Sequence, residues 1–117
     1  RSHYPHLRQK LASIAIDIEV GRLFFYRCFW MMDKKLPLSY ESAMAKVFNT
    51  EVWQRACNSG MQLLGLYGQL STHSDWKQLD GILGDGSLAT IMPTFGAGSN
   101  EIMRNIIATE CLGLPRS

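Results

Sequence analysis

The sequence predicts an all-α domain, an antiparallel up-down bundle of the four-helix kind. Three observations carry that expectation. Apolar residues recur at helical spacing through two long segments, a short break around Pro37 joins them, and no stretch alternates with the period of a strand. The first segment runs from about His6 to Asp33. Leu7, Leu11, Ile14, Ile18, Phe25, Phe29 and Met32 form one stripe, and Ile16, Val20, Leu23, Trp30 and Met31 form a second. A helix apolar on two sides is normally covered on two sides. At about 1.5 Å per residue it would be roughly 40 Å long, which suits a bundle. Leu36-Pro37-Leu38 interrupts the pattern, and Ser39 is the expected cap of a second helix from about Tyr40 to Leu64. Ala45, Phe48, Val52, Ala56, Ser59 and Leu63 lie along one face of it. Two long helices joined by so short a turn run antiparallel.

After Leu64 the texture changes to GLYGQLSTHSDWKQLDGILGDGSLATIMPTFGAG. Glycine, serine and aspartate recur, which predicts a long irregular connection with at most one short helix, near Ile82 to Met92. Such loops are uncommon and often functional. The last helix opens in FGAGSNE: Ser99 or Asn100 caps free N–H groups, Glu101 sits in the positive first turn, and Ile102, Ile106 and Ile107 give an apolar face. Gly113 suits a left-handed C-cap, with Pro115 as the stop. The first helix shows more apolar surface than this chain alone is expected to cover.

Composition narrows the function. With 117 residues the chain is the size of one domain, and 12 Lys and Arg against 10 Asp and Glu leave a formal charge of only +2. The basic residues are scattered, so nucleic acid is not an expected partner. Cys28, Cys57 and Cys111 are odd in number and form no CxxC pair, which argues for a reducing compartment and against a disulfide framework or a zinc site. No apolar run approaches the roughly 18 residues of a membrane span, and RSHYPHLRQK lacks the apolar region of a signal peptide. A soluble, cytoplasmic protein is expected.

Single motifs are weak. Gly96-Ala97-Gly98 begins like a dinucleotide fingerprint, but Glu101 stands where the third glycine belongs and no strand precedes it. His3 and His6 flank Pro5 and His73 lies in the connection, an arrangement of solvated histidines, so no metal is expected. Asp80 and Asp85 lack the following glutamate of a calcium loop. Asp17 and Arg22 read as a partly exposed charge pair, and the methionines as packing.

The order of several motifs says more. SAMAKVFNTEVWQRACNSGMQLLGLYG followed by GAGSNEIMRNIIATECLGLPR resembles the C-terminal helical domain of the acyl-CoA dehydrogenase family. There a helix of the type A-x-A-K-x-x-x-T/S-E leads into Q-x-x-G-G-x-G, and a later A-G-T-S-E-I-x-R opens the last helix. The matches are Ala43, Ala45, Lys46, Thr50 and Glu51, then Gln62, Gly65 and Gly68, then Gly98, Ser99, Glu101, Ile102 and Arg104. QKLASIAIDIEVGR, Gln9 to Arg22, takes the place of the family's Q-x-x-L-A-D-M-A-x-x-x-x-A-x-R, so the resemblance covers nearly the whole chain.

The resemblance implies α,β-dehydrogenation of an acyl-CoA thioester with FAD as cofactor, in a homo- or hetero-oligomer that passes electrons to an acceptor flavoprotein. By position it implies a cofactor turn of Gln62, Leu63, Leu64, Gly65 and Leu66, reaching the FAD bound mainly by a neighbouring subunit. A second cofactor contact falls on Ser99, Asn100 and Glu101, with Ala97 and Gly98 facing the acyl-CoA. Departures accompany the matches. Leu66 replaces the second glycine, the connection from Gln69 to Pro93 lacks the family's E-x-P-x-x-R-x-x-R-D pattern, and Ala97 stands where many members carry the catalytic glutamate. No catalytic residue is therefore expected in residues 1–117. Some members place the base on an earlier helix, and the family's N-terminal helical domain, middle β-domain and R-x-x-F-G segment have no counterpart here. The chain is thus expected to be a domain of a longer enzyme, or of a subunit without a base that completes a partner's FAD site.

Overall fold

The computed structural model describes residues 5–116, and every regular element among them is helical. The expectation for His3 lies outside the described residues. Helix α1 spans Pro5–Asp33 and α2 spans Tyr40–Leu64. Two 3-10 turns follow, Gly65–Gln69 and Leu79–Gly81. Then come α3 (Ile82–Ala89), α4 (Met92–Phe95) and α5 (Asn100–Ile106), the last running on through a π turn, Ile107–Cys111.

Both long helices stand where their periodicity places them. Pro5 is the first described residue of α1. At the other end Lys35 takes a left-handed φ of 53°, while the Leu36 N–H donates to the Met31 carbonyl at 2.9 Å and the Lys35 N–H to that of Met32 at 3.0 Å. This is a Schellman stop made without glycine, and Pro37 keeps the chain from resuming. Ser39 precedes α2, but its side chain forms no cap. Its backbone (φ −114°, ψ −86°) is not the extended form that aims a capping hydroxyl, and Ser42 Oγ instead donates to the Ser39 carbonyl at 2.9 Å.

Cross-helix pairs establish the antiparallel register. Lys10 meets Gln62, Asp17 meets Arg55, Gly21 meets Asn49, Phe24 packs at a tilt against Phe48, and Arg27 reaches Glu41, so one number falls as the other rises. The expected Asp17–Arg22 pair does not form. Five residues apart on a helix they point in different directions, and Arg22 takes Glu19 while Asp17 takes Arg55 at 2.9 Å. Close approach depends on Gly21: a side chain there would stand 2.2 Å from Asn49 Oδ1, whose amide is tied to the Ala45 carbonyl at 2.8 Å.

On the opposite face of α2 the chain returns in pieces. Leu83 packs on Gly60, Gly86 lies against Cys57, Gln54 donates to the Thr90 carbonyl, and Lys46 donates to that of Thr94. The returning segment therefore also runs antiparallel to α2, which completes the up-down arrangement. The single short helix expected at Ile82 to Met92 is two helices. Pro93 has no N–H to give the Ala89 carbonyl, and Thr90 Oγ1 donates to the Ser87 carbonyl at 2.7 Å, so α3 stops at Ala89. The connection before it is also more ordered than expected: Asp85 accepts from the Thr72 N–H, and Lys77 donates to the Thr72 carbonyl.

The core is narrow. Among the described residues the buried apolar ones are Cys28, Met31, Ala43, Ala45, Val52 and Cys57, and no large side chain is fully enclosed. On α1, Leu11, Ile16, Ile18, Leu23, Phe25, Phe29, Trp30 and Met32 are exposed. Most of each predicted stripe thus flanks the face that packs on α2; Ile14 of the first and Met31 of the second lie in that face with Gly21, Phe24 and Cys28. The radius of gyration is 17.4 Å, against about 13 Å expected for a compact domain of this length. The excess reflects a 29-residue helix with one partner.

Two stability predictions follow from these contacts. Gly21→Leu is expected to force α1 from α2 and lose about 1–3 kcal/mol, read as a lower urea midpoint. Glu41 is buried beside Arg27, 3.4 Å away. Burial pushes its carboxyl up, but its own backbone N–H, Arg27 and the Tyr40 hydroxyl outweigh this and hold it below the usual carboxylate range. A lowered carboxyl pKa contributes stability above the unfolded value and loses it as pH falls through the folded one. Glu41→Gln should therefore be less stable than wild type at pH 7, and the difference should vanish in acid.

Candidate functional site

The turn between α4 and α5 is the most constrained irregular segment. The Gly96 N–H closes α4 on the Met92 carbonyl at 2.9 Å. Ala97 and Gly98 then both take positive φ, 54° and 91°. For alanine this conformation is uncommon and is held only where neighbours determine it. At Gly98 the positive φ itself favours glycine, and a side chain there would also have to displace the flexible end of Met103. Phe95 and Ala97 remain exposed at the crest.

Neighbours on α2 supply the constraint. Lys46 Nζ donates to the Gly98 carbonyl at 2.7 Å, to Asn100 Oδ1 at 2.7 Å and to the Thr94 carbonyl at 3.3 Å. Asn100 Nδ2 donates to Thr50 Oγ1 at 3.0 Å, and Thr50 Oγ1 lies 3.0 Å from the Val47 carbonyl. Arg104 pairs with Glu51 one turn further along α5. Asn100 is therefore buried, and its side chain faces α2. Only its backbone is left for a ligand.

Ser99 is the cap of α5, its Oγ accepting from the Ile102 N–H at 3.4 Å. Glu101 curls back onto the same end. Its own backbone N–H, followed by the Ser99 hydroxyl, Arg104 and Lys46, holds the carboxyl below the usual range against a small opposing effect of burial. The N–H groups of Glu101, Ile102 and Met103 are thus already engaged within the chain. At the far end Gly113 takes φ 68°, as expected of a left-handed cap, but the Leu114 N–H reaches back to the Ala108 carbonyl, one residue beyond the ordinary Schellman bond. Thr109 explains the wider turn, since its hydroxyl donates to the Asn105 carbonyl at 2.9 Å and competes with the helix ladder.

The second predicted turn closes α2. Gln62 accepts a hydrogen bond from Lys10, Leu63 and Leu64 are half-buried, and Gly65 turns the chain with φ 58° and ψ −131°. Nothing lies within 4 Å of the place where a Gly65 side chain would stand, so its backbone is bare. Leu66 projects outward, 83% exposed. Gln62 and Gly65 line an open depression of about 550 Å³ with Asn58, Met61 and Gln69. Another depression, about 360 Å³ between α5 and the chain after it, is lined by none of the predicted site residues.

One chain does not bring the two turns together. Asn100 is pinned at Thr50, and Gly65 follows the last residue of α2, so the turns are separated by roughly 20 Å along the helix axis at 1.5 Å per residue. The residues without an assigned role from sequence are Lys46, Thr50, Glu51 and Arg104. Lys46 and Thr50 stand four apart on one face of α2, which is the legible part of the signal. Their partner is fifty residues away, which is not.

Comparisons with known proteins show the family to which this fold belongs. The family pattern described as acyl-CoA dehydrogenase, C-terminal domain, matches residues 2–112. The chain is 32% identical over 111 residues to the probable acyl-CoA dehydrogenase YngJ of Bacillus subtilis (strain 168), covering 95% of this chain and 27% of that protein. It is 37% identical over 108 residues to the mitochondrial short-chain specific acyl-CoA dehydrogenase of Bos taurus, covering 92% and 24%. Among solved structures it superposes on the Tcur3481-Tcur3483 steroid ACAD with a TM-score of 0.93 at 28% identity, over 98% of this chain and 30% of that one. On the ChsE4-ChsE5 complex from Mycobacterium tuberculosis the TM-score is 0.89 at 31% identity, over 99% and 29%. The chain belongs to the acyl-CoA dehydrogenase family and carries its C-terminal helical domain. It spans about a quarter of the length of these curated relatives.

Gly65 gives this site its own test. Because its backbone lies where side chains are strained although space is open, Gly65→Ala should cost about 1–3 kcal/mol in urea denaturation without any steric clash. A neutral substitution would mean that the turn does not hold this conformation.

Proposed function

We propose that this chain is the C-terminal domain of a longer FAD-dependent acyl-CoA dehydrogenase, which removes hydrogen from the α and β carbons of an acyl-CoA thioester. The observation that carries the proposal is the crest at Ala97 and Gly98, left-handed, exposed and fastened on both sides to α2. Such a fixed turn suits a thioester that must be held in one orientation. Ser99, Asn100 and Glu101 form the second cofactor contact in this reading, with Asn100 acting through its backbone. Gln62 to Leu66 form the cross-subunit contact. The bare backbone of Gly65 fits close approach of a flavin nucleotide, whereas Leu66 offers apolar surface in place of a second glycine.

Bound FAD would accept the hydride that leaves the β carbon. This chain's residues bind and orient. Ala97 has only a methyl group and removes no proton, so the base comes from elsewhere in the full-length protein. Its small side chain leaves the crest open to a bulky acyl group. Exposed apolar stripes on α1 suit burial against other subunits or domains, in a homo- or hetero-oligomer, and an electron-accepting flavoprotein would reoxidise the cofactor. Among the described residues no helix is long and apolar enough to cross a membrane. Three free thiols suit a reducing compartment, and we place the protein in the cytoplasm.

A second reading, a subunit without a base that completes a partner's FAD site, draws on Ala97 and on the likeness to a solved two-protein complex. Ala97→Glu in the full-length protein with its partners separates the two. Where a base exists, a second carboxylate in the same desolvated site perturbs its pKa and crowds the substrate, so flavin bleaching by acyl-CoA should slow at least tenfold. Where none exists, the variant should gain bleaching. Unchanged bleaching and unchanged acyl-CoA affinity in a folded variant would remove Ala97 from the site.

A further inference from the structure

We infer that Lys46 is a positioning residue: its ammonium group holds the Thr94–Asn100 turn in the shape that presents Ala97 and Gly98. The inference rests on the reading of that turn as the acyl-CoA contact. An ammonium has three hydrogens and no acceptor. Here three acceptors surround it, the carbonyls of Thr94 and Gly98 and Oδ1 of Asn100, at 3.3, 2.7 and 2.7 Å. They come from both sides of the crest, so one cation closes the loop that contains Phe95, Gly96 and Ala97.

Lys46 is half-buried, and among the described residues no carboxylate forms an ion pair with it. No carboxylate touches this partly desolvated charge, Glu101 acting on it only from beyond ion-pair distance; its direct contacts are neutral oxygens, which ties its position to that of the turn. Other contacts hold α5 to α2 without it. Asn100 bonds Thr50, and Arg104 pairs with Glu51. Loss of the ammonium should therefore free the crest while α5 stays docked. Ala97, no longer held at φ 54°, would relax toward an ordinary backbone conformation.

The test uses the full-length flavoprotein, with whichever of butyryl-, octanoyl-, palmitoyl- or a steroid side-chain CoA ester bleaches the wild-type flavin fastest. In Lys46→Met, hydrogen exchange of the 94–100 amides should accelerate at least tenfold while exchange in α1 and α2 is unchanged. The bleaching rate at saturating thioester should fall about ten- to a hundredfold with FAD content retained, because small misplacement of a bound substrate has effects of that size. Lys46→Arg, which still offers donors to the Gly98 carbonyl, should recover part of both losses. Unaltered exchange at 94–100 in Lys46→Met overturns the inference. So does a Lys46→Arg variant no better than Met, or a loss of bleaching that merely follows loss of FAD. If the Ala97→Glu result removes the crest from the substrate site, the exchange experiment still decides whether Lys46 holds the turn, so the two failures are distinguishable.

Discussion

Packing of α2 on two opposite faces is the constraint on which the rest of this structure depends. One face meets α1 through small or flat contacts, with Gly21 against Asn49 and Phe24 against Phe48. The other receives α3, α4 and α5 in sequence. Every buried apolar residue except Cys28 and Met31 belongs to α2. Because the helix is one rigid element, it also fixes the distance between the two turns proposed to be functional. The crest at Ala97 is fastened near Lys46 and Thr50, and the Gly65 turn lies beyond Leu64.

That geometry shapes how the domain can serve a dehydrogenase. Two turns that resemble cofactor contacts, held roughly 20 Å apart along one rigid helix, suit contributions to two different cofactor sites better than one shared enclosure. The exposed stripes of α1 are consistent with the same idea. Leu11, Ile18, Phe25 and Phe29 lie on one side of its packed face, and Ile16, Leu23 and Trp30 on the other. A helix of this kind has the surface expected of half of a larger core. The polar cluster at Asn100 then keeps the crest in register with α2, so that disturbance of the bundle would be felt at the proposed substrate contact.

Much of the fold was legible because its signals are local. Periodicity and Pro37 placed α1 and α2 within a residue or so, and Ser99, Gly113 and Pro115 marked the last helix. The left-handed stop at Lys35 left no trace, since a lysine there is not a turn residue. The break after α3 follows from Pro93, whose missing N–H acts four residues upstream. Asp17 and Arg22 misled because proximity in sequence was taken for proximity on a helix, and Ser39 because a capping residue was not in a capping conformation. For the proposed site, motif order pointed to both turns and to Ala97. It did not reveal that the Asn100 side chain faces inward, or that Lys46 spans the crest, since both depend on contacts between residues far apart in the chain.

The most direct measurement is a crystal structure of the full-length oligomer with FAD and an acyl-CoA bound. It would show which flavins lie beside Gly65 and beside Ser99 of one polypeptide. Two different FAD molecules are expected there, with the thioester against Ala97 and Gly98 at one of them. A single FAD touched by both turns of the same chain, or a thioester bound away from the crest, would contradict it.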